Sequence, residues 1–233
     1  MRARMESLEM LANNLANVET GGFKADREFF SVYTGDDATA DPLTGDMPLQ
    51  PLVQSHWTDL TQGNLLNTAN PLDLAIDGDG LFALQTKDGV RYTRNGNFRI
   101  GAAGLLTATD GSPVLAQGGS TIQLQPGLPV AVLPDGTVQQ GGQIVGQLDI
   151  ATFDHASLNK LGTNYFVPVE GAKPKPATGA VLQGKLEQSN VGAAESSVRL
   201  IAIMRQFEML QKAMNIGNEL NRKAIEEVAR VAS

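Results

Sequence analysis

Cysteine is absent from the 233 residues, which excludes disulfides and thiolate metal sites and is compatible with passage through an oxidising space. Aromatic residues are scarce, with one Trp, three Tyr and eight Phe. That supply falls short of a large enzyme-like core and fits a thin β domain flanked by helices. No apolar run reaches the roughly eighteen residues of a membrane-spanning helix, so no membrane span is expected. The basic start, Met1-Arg2-Ala3-Arg4-Met5, lacks the apolar stretch of a cleavable signal, because Glu6, Glu9, Asn13 and Asn14 interrupt it. An excess of positive charge is missing as well. The formal charge is −7, residues 1–20 carry −1 and residues 193–233 carry +1, so −7 lies between them. This balance argues against a nucleic-acid partner.

Glycine and proline are missing from the chain ends: residues 1–20 hold neither, and residues 193–233 hold only Gly217. Both ends read as helices. Leu8, Leu11, Leu15 and Val18 recur at steps of three and four, and Leu200, Ile203, Phe207, Leu210 and Met214 do the same. Such spacing keeps a narrow apolar stripe facing a neighbouring helix, so the two ends are expected to pair as a coiled coil. Gly217 and Asn221 fall in the same register and interrupt the stripe. Glu208 with Lys212, Glu219 with Lys223 and Glu226 with Arg230 add i,i+4 pairs on the solvated side. The N-terminal segment is too short to hold a helix by itself and is expected to become ordered on assembly.

The glycines concentrate where the helices do not. Fifteen of the 25 lie between residues 61 and 150, where Asp-Gly and Asn-Gly pairs separate short alternating runs. Phe82, Leu84 and Thr86 alternate, Asp88-Gly89 supplies a turn, and Val90 and Tyr92 resume the alternation before Asn95-Gly96, Phe98 and Ile100. Turns at Asp110-Gly111, Asp135-Gly136 and Gly141-Gly142 extend this hairpin series, and Gly146 to Phe153 reads as one further strand. Asp36, Asp37, Asp41, Pro42, Pro48 and Pro51 break any period, so residues 25–60 read as an extended connector. Lys173-Pro174-Lys175-Pro176 reads as an exposed, stiff loop. The expected organisation is a discontinuous helical domain (1–24 plus 193–233), the connector, and a mainly β central domain of antiparallel hairpins (61–192).

Catalytic chemistry finds little to work with. His56 and His155 are the only histidines and read as surface residues, and no Gly-x-Ser-x-Gly elbow occurs. Gly179 to Leu186 nearly matches a phosphate-binding loop, but Leu186 stands where a hydroxyl must meet magnesium. Asp77-Gly78-Asp79-Gly80 lacks the acids of a calcium loop at Ala75 and Thr86 and reads as a tight turn. No catalytic, cofactor or metal residue is assigned. Trp57 reads as an anchor that buries its ring in the connector. The rival readings are a glycan-binding β module using Trp57 and a wall hydrolase using acids between Asp73 and Asp79.

Several blocks together resemble the flagellar basal-body rod and hook family. The first is Asn13-Asn14-Leu15-Ala16-Asn17-Val18-Glu19-Thr20-Gly21-Gly22-Phe23-Lys24. The central ones are Thr61-Gln62-Gly63, Asn70-Pro71-Leu72-Asp73-Leu74-Ala75-Ile76, Gly80-Leu81-Phe82 and Tyr92-Thr93-Arg94-Asn95-Gly96. The last are Leu186-Glu187-Gln188-Ser189-Asn190-Val191 and Phe207-Glu208-Met209. Within the family, Arg205-Gln206-Phe207-Glu208-Met209 and the compact centre look most like the proximal rod members, with the distal rod members close. The resemblance implies a structural subunit whose terminal helices form the inner, self-assembling layer of a tubular rod, with the β domain outside. It further implies other rod subunits and copies of itself as partners, export by the flagellar type III apparatus without a cleaved signal, a periplasmic rod location, and a share in transmitting torque from motor to hook. Family members usually carry a further stretch of helix before the Asn-rich block. The N-terminal stripe is therefore expected to be shortened here.

Overall fold

The computed structural model describes residues 2–33 and 50–231 of the chain, which is mainly β with a short N-terminal helix and a long C-terminal one. Two compact units emerge, one from residues 1–15, 28–56 and 192–233, the other from residues 16–27 and 57–191.

In the second unit a six-stranded antiparallel sheet runs in the order 158–161, 165–168, 89–93, 81–86, 150–152, 175–176. Its centre is the hairpin anticipated from alternation: Phe82 opposes Thr93, Leu84 opposes Arg91, and Lys87-Asp88 form the two-residue loop. The alternation understates the burial of this strand. Leu81, Phe82, Ala83 and Leu84 are all buried, because each face of the sheet carries its own apolar cluster. Phe82 and Leu84 join Leu74, Ile76, Phe98, Leu106, Val114 and Leu148 on one side. Leu81 and Ala83 meet Tyr92, Leu115, Phe153 and Phe166 on the other. Edge-on ring contacts fix both faces, Phe82 to Phe98 at 5.1 Å and Tyr92 to Phe153 at 4.7 Å between centroids.

Beyond Asn95-Gly96 the chain leaves this sheet. Phe98–Ile100 pairs with Leu106–Ala108 instead, held by the Leu74 N–H donating to the Gly96 carbonyl at 3.0 Å. The single strand expected from Gly146 to Phe153 is divided. Gln143–Gln147 belongs to a three-stranded sheet with Thr137–Gln140 and Val130–Val132, and Ile150–Thr152 belongs to the large one. Buried Leu148 and the Asp149 amide, bonded to the Leu115 carbonyl, carry the chain from one to the other. The near-match to a phosphate loop is strand: Ala180–Gln183 pairs with Leu74–Asp77, and Lys185–Glu187 pairs with Leu65–Asn67. Lys175–Pro176 is exposed, as expected of a charged proline stretch, but forms an edge strand against Ala151 and Thr152, a position that tolerates proline.

In the first unit the N-terminal helix α1 (Arg2–Ala16) buries Ser7, Leu11 and Asn14, spaced at i, i+4 and i+7, while Leu8 and Leu15 are half-buried. Its inward face is thus turned toward Ser7, whose hydroxyl donates to the Glu28 carboxylate at 2.5 Å. Asp26–Tyr33 and Gln50–Thr58 form a two-stranded ribbon, so the flanks of the expected connector are strands. Asp36, Asp37, Asp41, Pro42 and Pro48 lie outside the described residues, as do the side chains of His56 and His155. Trp57 does not bury its ring: it is 47% exposed. Strand alternation turns it to the face opposite that of Thr58, whose hydroxyl bonds Asp26. The C-terminal helix α2 (Ala193–Val231) has 39 residues, a length of about 58 Å at the ordinary helical rise.

Candidate functional site

Two features stand out: a buried charge cluster where the ends of the β unit meet, and the bare apolar surface of α2. The cluster grows from local turns. Asn17 and Thr20 close the exit from α1, with Thr20 N–H bonded to the Asn17 carbonyl at 3.1 Å and Phe23 N–H to the Thr20 carbonyl at 3.2 Å. Gly22 follows at φ +69°, its N–H donating to the Glu187 carbonyl at 2.7 Å. A Cβ on Gly22 would stand 2.4 Å from the Asn95 nitrogen, so only glycine fits this crossing.

Behind it, Glu187 is 1% exposed and accepts from three directions. Lys24 Nζ donates to Oε1 at 2.6 Å, Gly63 N–H donates to the same oxygen at 2.9 Å, and Arg94 Nε donates to Oε2. Arg94 donates further to the carbonyls of Ile76 at 2.7 Å, Gly78 at 2.6 Å and Gly80. Lys24 also donates to the Thr61 carbonyl at 2.6 Å. Asn190 closes the other side: its Oδ1 accepts from Ala25 N–H at 2.8 Å, and its Nδ2 donates to the Asp59 carbonyl at 2.7 Å. Two buried cations thus share one buried carboxylate. Burial pushes the Lys24 ammonium below its usual range, and the Glu187 charge beside it opposes the shift. Lys160 shows the same balance, lowered by burial against the Asp26 carboxylate at 2.8 Å, with its ammonium 3.9 Å from the Phe23 ring centre.

The residues singled out from sequence separate into groups. Gly22, Phe23, Gly80, Arg94, Glu187 and Asn190 converge in this cluster, and Ser189 and Val191 follow in its last turn, with Val191 N–H bonded to Ser189 Oγ at 3.2 Å. Asp73, Tyr92, Thr93 and Gly96 are buried nearby as framework. Asp73 accepts from Asn70 at 3.0 Å and Asn97 at 3.2 Å, and Thr93 donates to the Asn164 carbonyl at 2.7 Å. Asn14 is buried on α1, Asn17, Thr20 and Val18 are half-buried, and Asn13 is exposed. Asp26, Asp59 and Lys160 were not anticipated. No local pattern marks them, and they meet only through pairings more than thirty positions apart, such as Arg27 with Asp59 at 2.7 Å and Lys160 with Asp26. The cluster has no reacting partner to offer. Its one carboxylate is fully engaged by two cations, and among the described residues no group of three or more acids and histidines could hold a metal.

On α2 the expected stripe is open. Leu200, Ile203 and Phe207 are half-exposed, Leu210 is 41% and Met214 51% exposed, and Glu208 lies in solvent. A second set is exposed too: Val198, Ile201, Met204, Met209, Ile216 and Leu220. Of the expected ion pairs, Glu219 meets Lys223 at 3.0 Å; Glu226 meets Arg222 at 3.7 Å, and the side chain of Arg230 lies outside the described residues. Apolar and charged side chains thus share the exposed surface of α2.

Comparison with known proteins matches two family profiles. Residues 75–145 match the flagellar hook protein FlgE/F/G D1 domain, and residues 182–227 match the flagellar basal body rod FlgEFG protein C-terminal region. Among full-length relatives, the flagellar basal-body rod protein FlgF of Caulobacter vibrioides is 37% identical over 228 residues, covering 96% of this chain and 92% of the relative. FlgF of Mesorhizobium japonicum is 36% identical, covering 86% and 83% of the two chains. The flagellar basal-body rod protein FlgG of Bacillus subtilis is 32% identical over 252 residues, covering 94% and 92%.

Proposed function

The chain belongs to the flagellar basal-body rod protein family and is a structural subunit of the rod, not an enzyme; from that premise we propose that α1 and α2 are its means of assembly. The two helices pair as a coiled coil, within the chain or between neighbours, and make one discontinuous helical domain from residues near 1–24 and 193–233. The β unit is the second body of the chain, and the segment around 25–60 is the connector. The observation that carries this reading is the exposed apolar surface of α2, from Val198 to Leu220, which a subunit standing alone leaves in water. A rod also needs contacts that repeat without closing. The two apolar sets on α2 suit that need, since each can meet a different neighbour.

Within the family the chain acts as an FlgF-like proximal subunit. Alignment with the Caulobacter FlgF takes 228 positions for 96% of the chain, whereas alignment with the Bacillus FlgG takes 252 for 94%, so the first pairing needs far fewer gaps. Its partners are other rod subunits and further copies of itself, its site of action is the periplasmic part of the basal body, and it helps carry torque from motor to hook. It is exported through the flagellar type III apparatus. Helices that gain order only on assembly suit passage through a narrow channel.

Phe207→Asp tests the proposal, because it places a charge in the middle of the α2 stripe and touches no residue of the β unit's buried clusters. The expected result is loss of the chain from purified basal bodies and loss of motility, with the purified variant retaining the wild-type unfolding midpoint of the β unit. Normal motility with Phe207→Asp would refute the role of the stripe.

A further inference from the structure

A cavity of about 80 Å³ lies in the β unit beside the Glu187 cluster. Lys24, Arg94 and Asp79 form its charged lining, and Leu81, Phe153 and Leu158 its apolar lining. One water needs about 10 to 15 Å³ of such space, so the cavity has room for a small ion that keeps part of its hydration. The two cations are nearly out of solvent, Lys24 at 1% and Arg94 at 4% exposure, whereas Asp79 is exposed.

Donors and charge are both left over beside this cavity. An ammonium carries three N–H groups, and Lys24 gives two of them, one to Glu187 and one to the Thr61 carbonyl, each at 2.6 Å. A guanidinium carries five, and Arg94 gives four, one to Glu187 and three to the carbonyls of Ile76, Gly78 and Gly80. Among the described residues one donor on each is uncommitted. Because the two side chains bond the two oxygens of one carboxylate, they stand within about a carboxylate's span of each other. The ion pairs leave one positive charge over: Arg27 pairs with Asp59, Lys160 with Asp26, and Lys24 and Arg94 together with the single Glu187. A buried charge short of its counter-charge is costly, and burial holds the Lys24 ammonium below its usual range in spite of Glu187.

We propose that this cavity binds a small monovalent anion, of the size of chloride or formate, held between Lys24 and Arg94. A single negative charge matches the one positive charge left over, and the uncommitted donors supply charge-assisted hydrogen bonds to it. Water fills the same space without supplying that charge. The apolar lining offers a larger or doubly charged anion no further donors. Asp79 opposes the anion by its charge and so sets how tightly the site holds. An anion bound here adds to Glu187 a second counter-charge at the junction where the entry and exit of the β unit meet. The inference stands apart from the reading of the chain as a rod subunit.

The chlorine NMR line of sodium chloride, recorded with and without the purified full chain at neutral pH, reads the site. The expected result is a protein-dependent broadening that sodium formate displaces and that Lys24→Met abolishes. Asp79→Asn is expected to lower the chloride dissociation constant about threefold, the effect of removing one charge roughly 7 Å away in water. Asp79 is exposed, so its variant decides the question even where Lys24→Met does not fold. No broadening, broadening that formate leaves in place, or an affinity unchanged in Asp79→Asn overturns the inference. Broadening undiminished in a folded Lys24→Met overturns it as well, by assigning the chloride to the protein surface.

Discussion

Glu187 holds together segments that lie far apart in the chain. Its two oxygens and its carbonyl bind Lys24, Arg94, Gly63 and Gly22, so the entry and exit of the β unit are tied at one carboxylate. Glu187→Gln leaves both cations buried with no counter-charge, and removing one member of a buried pair costs about 3 to 5 kcal/mol. Urea unfolding of the variant is expected to show that loss, and an unchanged midpoint would contradict the role assigned to the cluster. Gly63 adds a steric condition, since a Cβ there would sit 2.1 Å from the Gln188 carbonyl oxygen. Asp59 supplies a pH dependence. Burial pushes its carboxyl up, but hydrogen bonds from the Thr61 hydroxyl and amide and from Arg27 outweigh that and hold it below the usual carboxylate range. A carboxyl lowered on folding binds fewer protons in the native state, so its contribution is present above its unfolded pKa and disappears as pH falls through the folded value. Stability is therefore expected to fall below about pH 4, and Asp59→Asn to flatten that fall in unfolding midpoints measured from about pH 2 to 5. An equally steep fall in the variant would assign the acid sensitivity to other groups.

Among the elements, the strand Leu81–Thr86 and helix α2 are opposites. Phe82 is fully buried between strands, and Phe82→Ala is expected to cost about 3 to 5 kcal/mol. Met209 and Ile216 are 61% and 59% exposed, and replacing both by Ser is expected to change the unfolding free energy of the isolated chain by less than about 0.5 kcal/mol each. Comparable losses from the two replacements would mean that α2 packs within the chain. Strands and helices of this kind were legible from local pattern, since alternation around Asp88-Gly89 and apolar steps of three and four from Leu200 both survive in the structure. What depends on a second layer was not. Leu81 and Ala83 read as the outer side of a half-buried strand until Phe153 and Phe166 cover them, and Trp57 read as buried although it is 47% exposed. Gly146 to Phe153 read as one strand because nothing in its alternation marks the passage between sheets at Leu148 and Asp149.

For the whole molecule, the family was legible in the signature blocks, but what those residues do physically was not, because Lys24 and Glu187 are 163 positions apart and only the folded sheet brings them to 2.6 Å. The division of labour follows from that geometry. The β unit is locked at its base by buried charge, while α2 leaves apolar side chains bare, and on the proposed reading those side chains give their free energy to neighbours. In such a subunit the stabilising charges and the assembling surface are separate, so assembly can fail without unfolding. Mass spectrometry of hook-basal bodies purified from the source cell tests the account most directly. The account predicts peptides of this chain, including α2, in intact basal bodies that are free of cytoplasmic protein. Intact, functional basal bodies without the chain would contradict it.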